Sequence, residues 1–166
     1  KDKIKEFKVV STGTDAPAKL GAIEDFINQG YDAIVTIAVA PDGFDRVIRL
    51  ADKNNVVLVP FDNVLDTDKV MQVNEDQLAM GRMWAEFALK ELKAEGKTGG
   101  KILEVRGLPG NSVDRDRSIG INETFKKDGG NWEFVSVVGN WDDGTTQKVV
   151  ADAIAVHGQF DAIVGQ

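Results

Sequence analysis

The sequence predicts an α/β protein made of two doubly wound parallel-sheet lobes, both incomplete. Three observations carry that reading. Short β-branched runs alternate with helix-patterned segments along 166 residues. The runs are apolar at successive positions, as strands covered on both faces are. The alternation is interrupted once, by an acidic loop and an isolated extended run, and then resumes. The expected division is a first lobe over 1–75 (βαβαβ) and a second over 76–166 (αβαβαβ).

Each element follows from spacing. Lys8 to Thr12 reads as a strand. Leu20, Ile23 and Ile27 recur at helical intervals, and Gly30 closes that helix. Ala33 to Ile37 is the next strand, bounded by Pro41. Phe44, Val47, Ile48 and Ala51 fall at i, i+3, i+4 and i+7, an amphipathic helix. Val56 to Val59 is a third strand. After the acidic loop Asp62 to Asp68, Val70 to Val73 is a short extended run leading to the joint between lobes, near Val73 to Asp76. A long helix from Asp76 to Glu95 opens the second lobe, with Met83, Phe87 and Leu92 expected on one face. The alternation continues with a strand from Lys101 to Arg106 and a helix from Ser112 to Lys127. A strand from Glu133 to Val138, a helix from Thr145 to Val156 and a strand from Asp161 to Gly165 complete it.

The two ends of the chain break this regularity. Lys1 to Glu6 reads as the tail of a helix, and the chain stops on a strand at Gln166. A doubly wound sheet often places its first strand centrally. If Lys8 to Thr12 is a second strand, a first one is missing, so a partly represented chain is expected.

Composition limits the function. With 42% hydrophobic and 28% charged residues the chain is ordinary globular material. Burial of roughly 70% of the extended surface suffices for one sizeable core or two small ones. No cysteine is present, which excludes disulfides, a thiol nucleophile and Cys-bound zinc. A secreted address stays open, because a large domain is stable without disulfides. No run of about 18 apolar residues occurs that would cross a membrane as a helix. A net charge of −7, with 20 Lys and Arg spread along the chain, argues against nucleic acid as a partner. The single histidine, His157, ends a helix before Gly158, where a cation suits the helix dipole. Histidine triads and multi-histidine metal sites are excluded by count.

In open parallel sheets, ligands bind beyond the carboxyl ends of the strands. The residues there are Phe61, Asp62 and Asn63 after one strand, and the loop Gly107 to Ser112 leading to Arg115 after another. Asn140, Trp141 and Asp142 follow a third. A carboxylate, an amide, a guanidinium and an indole suit a neutral polyhydroxylated ligand. The polar groups exchange hydrogen bonds with hydroxyls, and the ring packs on C–H faces. Each has a plainer alternative. Asp62 and Asn63 also fit turn positions, Asn111 a helix cap, Arg115 a surface ion pair with its acidic neighbours, and Trp141 loop packing.

Three apparent motifs fail. Gly96-Lys97-Thr98 resembles the end of a phosphate loop, but Glu91 stands where the first glycine is required. Gly107-Leu108-Pro109-Gly110 lacks the dinucleotide-site spacing, and Pro109 removes a donor. Asp62, Asp66 and Asp68 could ligate Mg²⁺, but no nucleophile or lysine pattern accompanies them. No cofactor and no metal are expected.

The ordered set resembles the bacterial periplasmic sugar-binding proteins of the ribose- and galactose-binding type, receptors of ABC importers. Val57-Leu58-Val59-Pro60-Phe61-Asp62-Asn63 is similar to the family's strand ending in an acidic ligand contact. Val73-Asn74-Glu75-Asp76-Gln77, with Gly81 behind it, resembles the crossover into the second lobe's long helix. Gly107 to Arg117 resembles the loop and helix that deliver an arginine to the sugar, here Arg115. Asn140-Trp141-Asp142 is similar to the segment whose ring stacks on the sugar. Phe160 to Gln166 resembles the strand before another hydrogen-bonding loop. The resemblance spans nearly the whole chain. It departs from the family in lacking the first strand and helix and everything after Gln166, and in Ala38-Val39-Ala40, where a more polar loop is usual.

The resemblance implies a two-lobed receptor, not an enzyme, that closes on a monosaccharide (pentose, hexose or sugar alcohol) and delivers it to an ABC transporter permease. The implied contacts are Asp62, Asn63, Asn111, Arg115 and Trp141. A monomer in the periplasm, touching the membrane complex only peripherally, is expected. The opening Lys-Asp-Lys-Ile-Lys is no signal peptide, so any leader is expected to have been removed or never present. Two rivals stand beside this reading. The effector domain of a sugar-responsive repressor would carry a helix-turn-helix upstream. A Mg-dependent α/β sugar-processing enzyme would turn over a sugar or its phosphate.

Overall fold

The computed structural model describes residues 3–40, 42–63 and 65–166. The chain divides into two compact units, one ending at Asn74 and the other running from Glu75 to Gln166.

In the first unit, α1 (Ala16–Asn28) starts where the Asp15 carboxylate accepts a hydrogen bond from the Ala18 N–H at 2.8 Å, with Pro17 in the first turn. Next come β1 (Ala33–Ile37), α2 (Phe44–Lys53) and β2 (Val57–Phe61). The two strands are parallel, with Ala33 opposite Val57 and Ile37 opposite Phe61. The four apolar residues read from the sequence of α2 are its four buried ones. They meet Ile23 and Ile27 of α1 and Ile34 and Leu58 of the strands in one core. The helices cover a single face of this pair. Val35 and Val57, on the other, are exposed, so the two-sided burial expected of these strands is not found here.

Three expectations for this region are corrected. Lys8 to Thr12 is not a strand. Val9 and Val10 are exposed, and no ladder partner lies beside the run among the described residues. β-branched residues favour a strand by packing on a pleated surface, which this run lacks. Lys3 to Glu6 holds a turn and a bend, not a helix end, while Lys1, Asp2 and the boundary residue Pro41 lie outside the described residues. Val70 to Val73 contributes one parallel bridge, Val73 to Phe61, in place of an extended run.

The second unit contains α3 (Gln77–Ala94), β3 (Gly99–Arg106), α4 (Ser112–Asp128), β4 (Asn131–Val138), α5 (Asp143–His157) and β5 (Ala162–Gly165). Its sheet is parallel throughout, in the order β4-β3-β5. Alternation along β3 sends Ile102 to the α3 and α4 side, beside Ile121, Phe125 and Val164. Leu103 and Val105 face the other way, against Ala153 of α5. This unit is therefore wound on both faces, and the α/β class with parallel sheets stands.

The buried face of α3 differs from the expected one. Gly81, Ala85, Leu89 and Leu92 are buried, while Met83 and Phe87 are exposed. The small residues let α4 approach very closely. A Cβ on Gly81 would sit 2.2 Å from the Arg117 carbonyl oxygen, and one on Gly120 of α4 would sit 2.3 Å from that of Leu78. His157 does end α5 before Gly158, and its carbonyl accepts a hydrogen bond from Lys101 Nζ at 2.7 Å.

Candidate ligand-binding site

Both units present polar and aromatic residues at the carboxyl ends of their strands. In the first, Asp62 follows β2 in a left-handed conformation (φ 67°) that L-residues adopt at a cost. Its N–H donates to the Val73 carbonyl at 2.9 Å, and the Val73 N–H donates to Pro60 at 3.1 Å. The loop that follows is braced by Gln72. Its Oε1 accepts from the Leu65 N–H at 2.7 Å, and its Nε2 donates to the carbonyls of Leu65 (2.9 Å) and Thr67 (2.8 Å). Asp62 is half-buried. Asn63 turns inward and is only 6% exposed, and its Oδ1 has no hydrogen-bond partner among the described residues.

In the second unit the ends of β3, β4 and β5 lie side by side. Gly107 follows β3, and the Gly139 N–H after β4 donates to Arg106 at 2.8 Å. Asn140 and Trp141 are both left-handed (φ 57° and 55°). Of the four non-glycine residues with positive φ among those described, three fall in the loops after β2 and β4. Strain of this kind persists where the surroundings over-determine it, and functional loops are a common place for it. Asp142 then caps α5 by accepting from the Thr145 N–H at 2.7 Å, a bond that holds its carboxyl below the usual range. The Trp141 indole lies against Gly107 and remains 41% exposed.

The loop after β3 is organised by Asp114, which sequence reasoning did not single out. Its carboxylate is 1% exposed and accepts from Arg106 Nη2 (2.6 Å), Arg106 Nε (3.2 Å) and the Gly107 N–H (2.9 Å). The hydrogen bond to Asp114 raises the Arg106 pKa further above its ordinary value. Asn111 is buried and caps α4, accepting from the Val113 N–H at 2.8 Å. Arg115 is exposed at the start of the same helix, with its Nε 2.7 Å from Asp116. Arg117 is committed elsewhere. It donates to Gln77 at 2.8 Å and stands 5.2 Å over the Trp84 ring, both on α3. Two residues along a helix is about 200° of rotation, so Arg115 faces away from α3. Gln166 completes the rim, with its Nε2 3.0 Å from the Asp114 carbonyl and its Oε1 buried without a partner among the described residues.

The predicted residues thus fall into two groups. Asp62, Arg115 and Trp141 present functional groups at strand ends, whereas Asn63 and Asn111 are turned into their units. Asp62 and Asn63 belong to one unit, and Asn111, Arg115 and Trp141 share one end of the other's sheet. Asp114 and Gln72 have no place in the sequence reading, and Gly107 and Gln166 enter it only as the ends of a loop and a strand. Asp114 offered a signal, a carboxylate just after the glycine-rich loop that Arg106 and Arg115 flank in sequence. Gln72 offered none, because a side-chain amide that braces a loop has no periodicity. No cluster of three or more His, Cys, Asp or Glu side chains that could hold a metal ion occurs among the described residues. The arrangement offers hydrogen bonds and an apolar ring.

Comparison with known proteins agrees with this architecture. A 30% identical stretch of 115 residues matches the ribose import binding protein of Bacillus subtilis, covering 69% of this chain and 36% of that protein. The xylitol-binding protein of Mycolicibacterium smegmatis is 27% identical over 144 residues, covering 79% of this chain and 40% of its own length. Among solved structures, a protein from Mycobacterium smegmatis in complex with β-D-fucofuranose superposes with a TM-score of 0.84 at 23% identity. That match covers 92% of this chain and 51% of the other. The chain therefore spans about two fifths of these curated relatives and half of that structure. The family model described as the periplasmic binding protein domain matches residues 1–166, and the chain belongs to that family.

Proposed function

We propose that the protein is a solute-binding receptor for a monosaccharide or sugar alcohol, working in the periplasm as a monomer and delivering its ligand to an ABC permease. The observation that carries the ligand class is the half-exposed Trp141 ring at the carboxyl ends of β3 and β4. It has the Arg115 guanidinium on the neighbouring helix start. An indole face packs on the C–H face of a sugar, and guanidinium and carboxylate groups hydrogen-bond its hydroxyls. The relatives' names, ribose import binding and xylitol-binding, point to the same class.

In this reading the two compact units are the two lobes, and the Val73 to Asp76 segment is the joint. Asp62 supplies a carboxylate in the first, and Arg115 and Trp141 supply a guanidinium and a ring in the second. Asn63 and Asn111 act from within, by shaping their loops. The protein performs no chemistry on the ligand.

The test is calorimetric titration with D-ribose, D-xylose, D-galactose, D-fructose and xylitol. At least one is expected to bind, and Trp141→Ala to weaken that binding by about 1–3 kcal/mol, the scale of a stacked, buried ring face. Absence of binding across the panel, or a Trp141→Ala variant that binds as tightly as the wild type, would overturn the reading.

A further inference from the structure

Gly107 is a glycine whose backbone does not require one. Its φ lies outside the left-handed region, so an L-residue could adopt the same conformation. The space beside it is a different matter. A Cβ on Gly107 would stand 2.2 Å from Trp141 Cε2 and 2.4 Å from both Cζ2 and Nε1. The indole occupies the volume that any side chain would need.

The backbone side of this contact is held, so an added side chain has to displace the ring. The Gly107 N–H is held by the buried Asp114 carboxylate, which two bonds from Arg106 fix in turn. The Gly139 N–H ties the end of β4 to Arg106 on the other side. Trp141 sits in a left-handed turn directly before Asp142, the residue that caps α5. The ring yields by turning about its own side-chain torsions, toward the side on which it is exposed.

We propose that Gly107 is a positioning residue of the ligand site. Its bare α-carbon is the seat of the Trp141 ring and sets how far that ring projects toward a ligand. The inference rests on the sugar-receptor reading for its consequence, but the seat itself is a property of this chain. With alanine at this position, the ring must move from 2.2 Å to ordinary contact at 3.4 Å or beyond. A ring displaced by that much no longer meets the same sugar face.

The experiment labels the protein with 5-fluorotryptophan and records fluorine NMR spectra without ligand. Three lines are expected, from Trp84, Trp132 and Trp141, and Trp141→Phe identifies the last. Gly107→Ala should shift the Trp141 line and leave the other two in place. Gly21→Ala, in open space on α1, should shift none. With the panel sugar that binds the wild type, Gly107→Ala should lose about tenfold in affinity, the size of one aromatic contact. Gly107→Ala/Trp141→Ala should bind no more weakly than Trp141→Ala alone. An unmoved Trp141 line, an unchanged affinity, or an equal loss in the Trp141→Ala background would overturn the proposal. If Gly107→Ala does not fold, recovery of folding in the double variant supports the seat and continued failure overturns it. If no sugar binds the wild type, the sugar reading fails, and the fluorine spectrum alone decides the seat.

Discussion

Replacing Gly81 by alanine sets two known effects against each other, and the structure says which wins. Alanine is favoured over glycine inside a helix by about 1 kcal/mol. Against this, the new Cβ would lie 2.2 Å from the Arg117 carbonyl oxygen, 2.9 Å from its carbon and 3.0 Å from its α-carbon. All three are backbone atoms of α4, so no rotamer change relieves the clash and the helices must separate by about 1 Å. A gap of that size forfeits up to about half of the dispersion energy of each contact it opens. The contacts at risk include Ala85 and Ile121, which are fully buried, and Phe125. Overpacking costs about 1–3 kcal/mol, and a backbone clash belongs at the upper end. The expected net loss is about 2 kcal/mol, or a fall in Tm of about 10 °C for a unit of this size. Thermal unfolding followed by circular dichroism measures it. Gly120→Ala should behave alike, and the double variant should cost less than the sum, because the first substitution has already parted the helices. Gly21→Ala supplies the propensity gain alone. A Gly81→Ala variant as stable as the wild type would refute the close-approach argument.

Other substitutions separate roles that look alike on paper. Arg106→Ala should cost about 3–5 kcal/mol because it strands a buried carboxylate. Asp114→Ala should cost only about 1–3, since Arg106 is one-third exposed and can be rehydrated. Urea unfolding of the two variants should show that order. Asn111→Ala and Asp142→Ala each remove a cap that accepts a backbone N–H, and each should lower stability by about 1 kcal/mol in the same assay. Asp161 is held below the ordinary 3.8 by the Lys101 N–H and then by Lys97, and Asp128 by Lys93 and then Trp132. Between their folded and ordinary values the unfolded chain binds more protons, so stability is full above 3.8 and falls as pH drops through the depressed values. Asp161→Asn should flatten that fall in an acid titration of Tm.

Elements whose signal is their own periodicity were legible in the sequence. Phe44, Val47, Ile48 and Ala51 specify α2 with no knowledge of its surroundings, and the six elements of the second unit follow from the same alternation. Lys8 to Thr12 shows the limit of that logic, because a strand exists only against a partner and composition does not supply one. Large apolar residues misled on α3 for a related reason. Met83 and Phe87 carry more hydrophobicity than Gly81 and Ala85, but the neighbouring helix selects for absence of volume. The same physics divides the candidate site. Asp62, Arg115 and Trp141 could be read because the role proposed for each lies in the side chain itself. Gly107 could not, because its contribution is the side chain it lacks, and only the position of the indole reveals why that matters. Asp114 acts one step further back, holding the backbone that holds the ring. A binding surface of this kind is specified as much by what supports its ring as by the ring itself. Substitutions at Gly107 and Asp114 should therefore change ligand binding through residues that need touch no ligand.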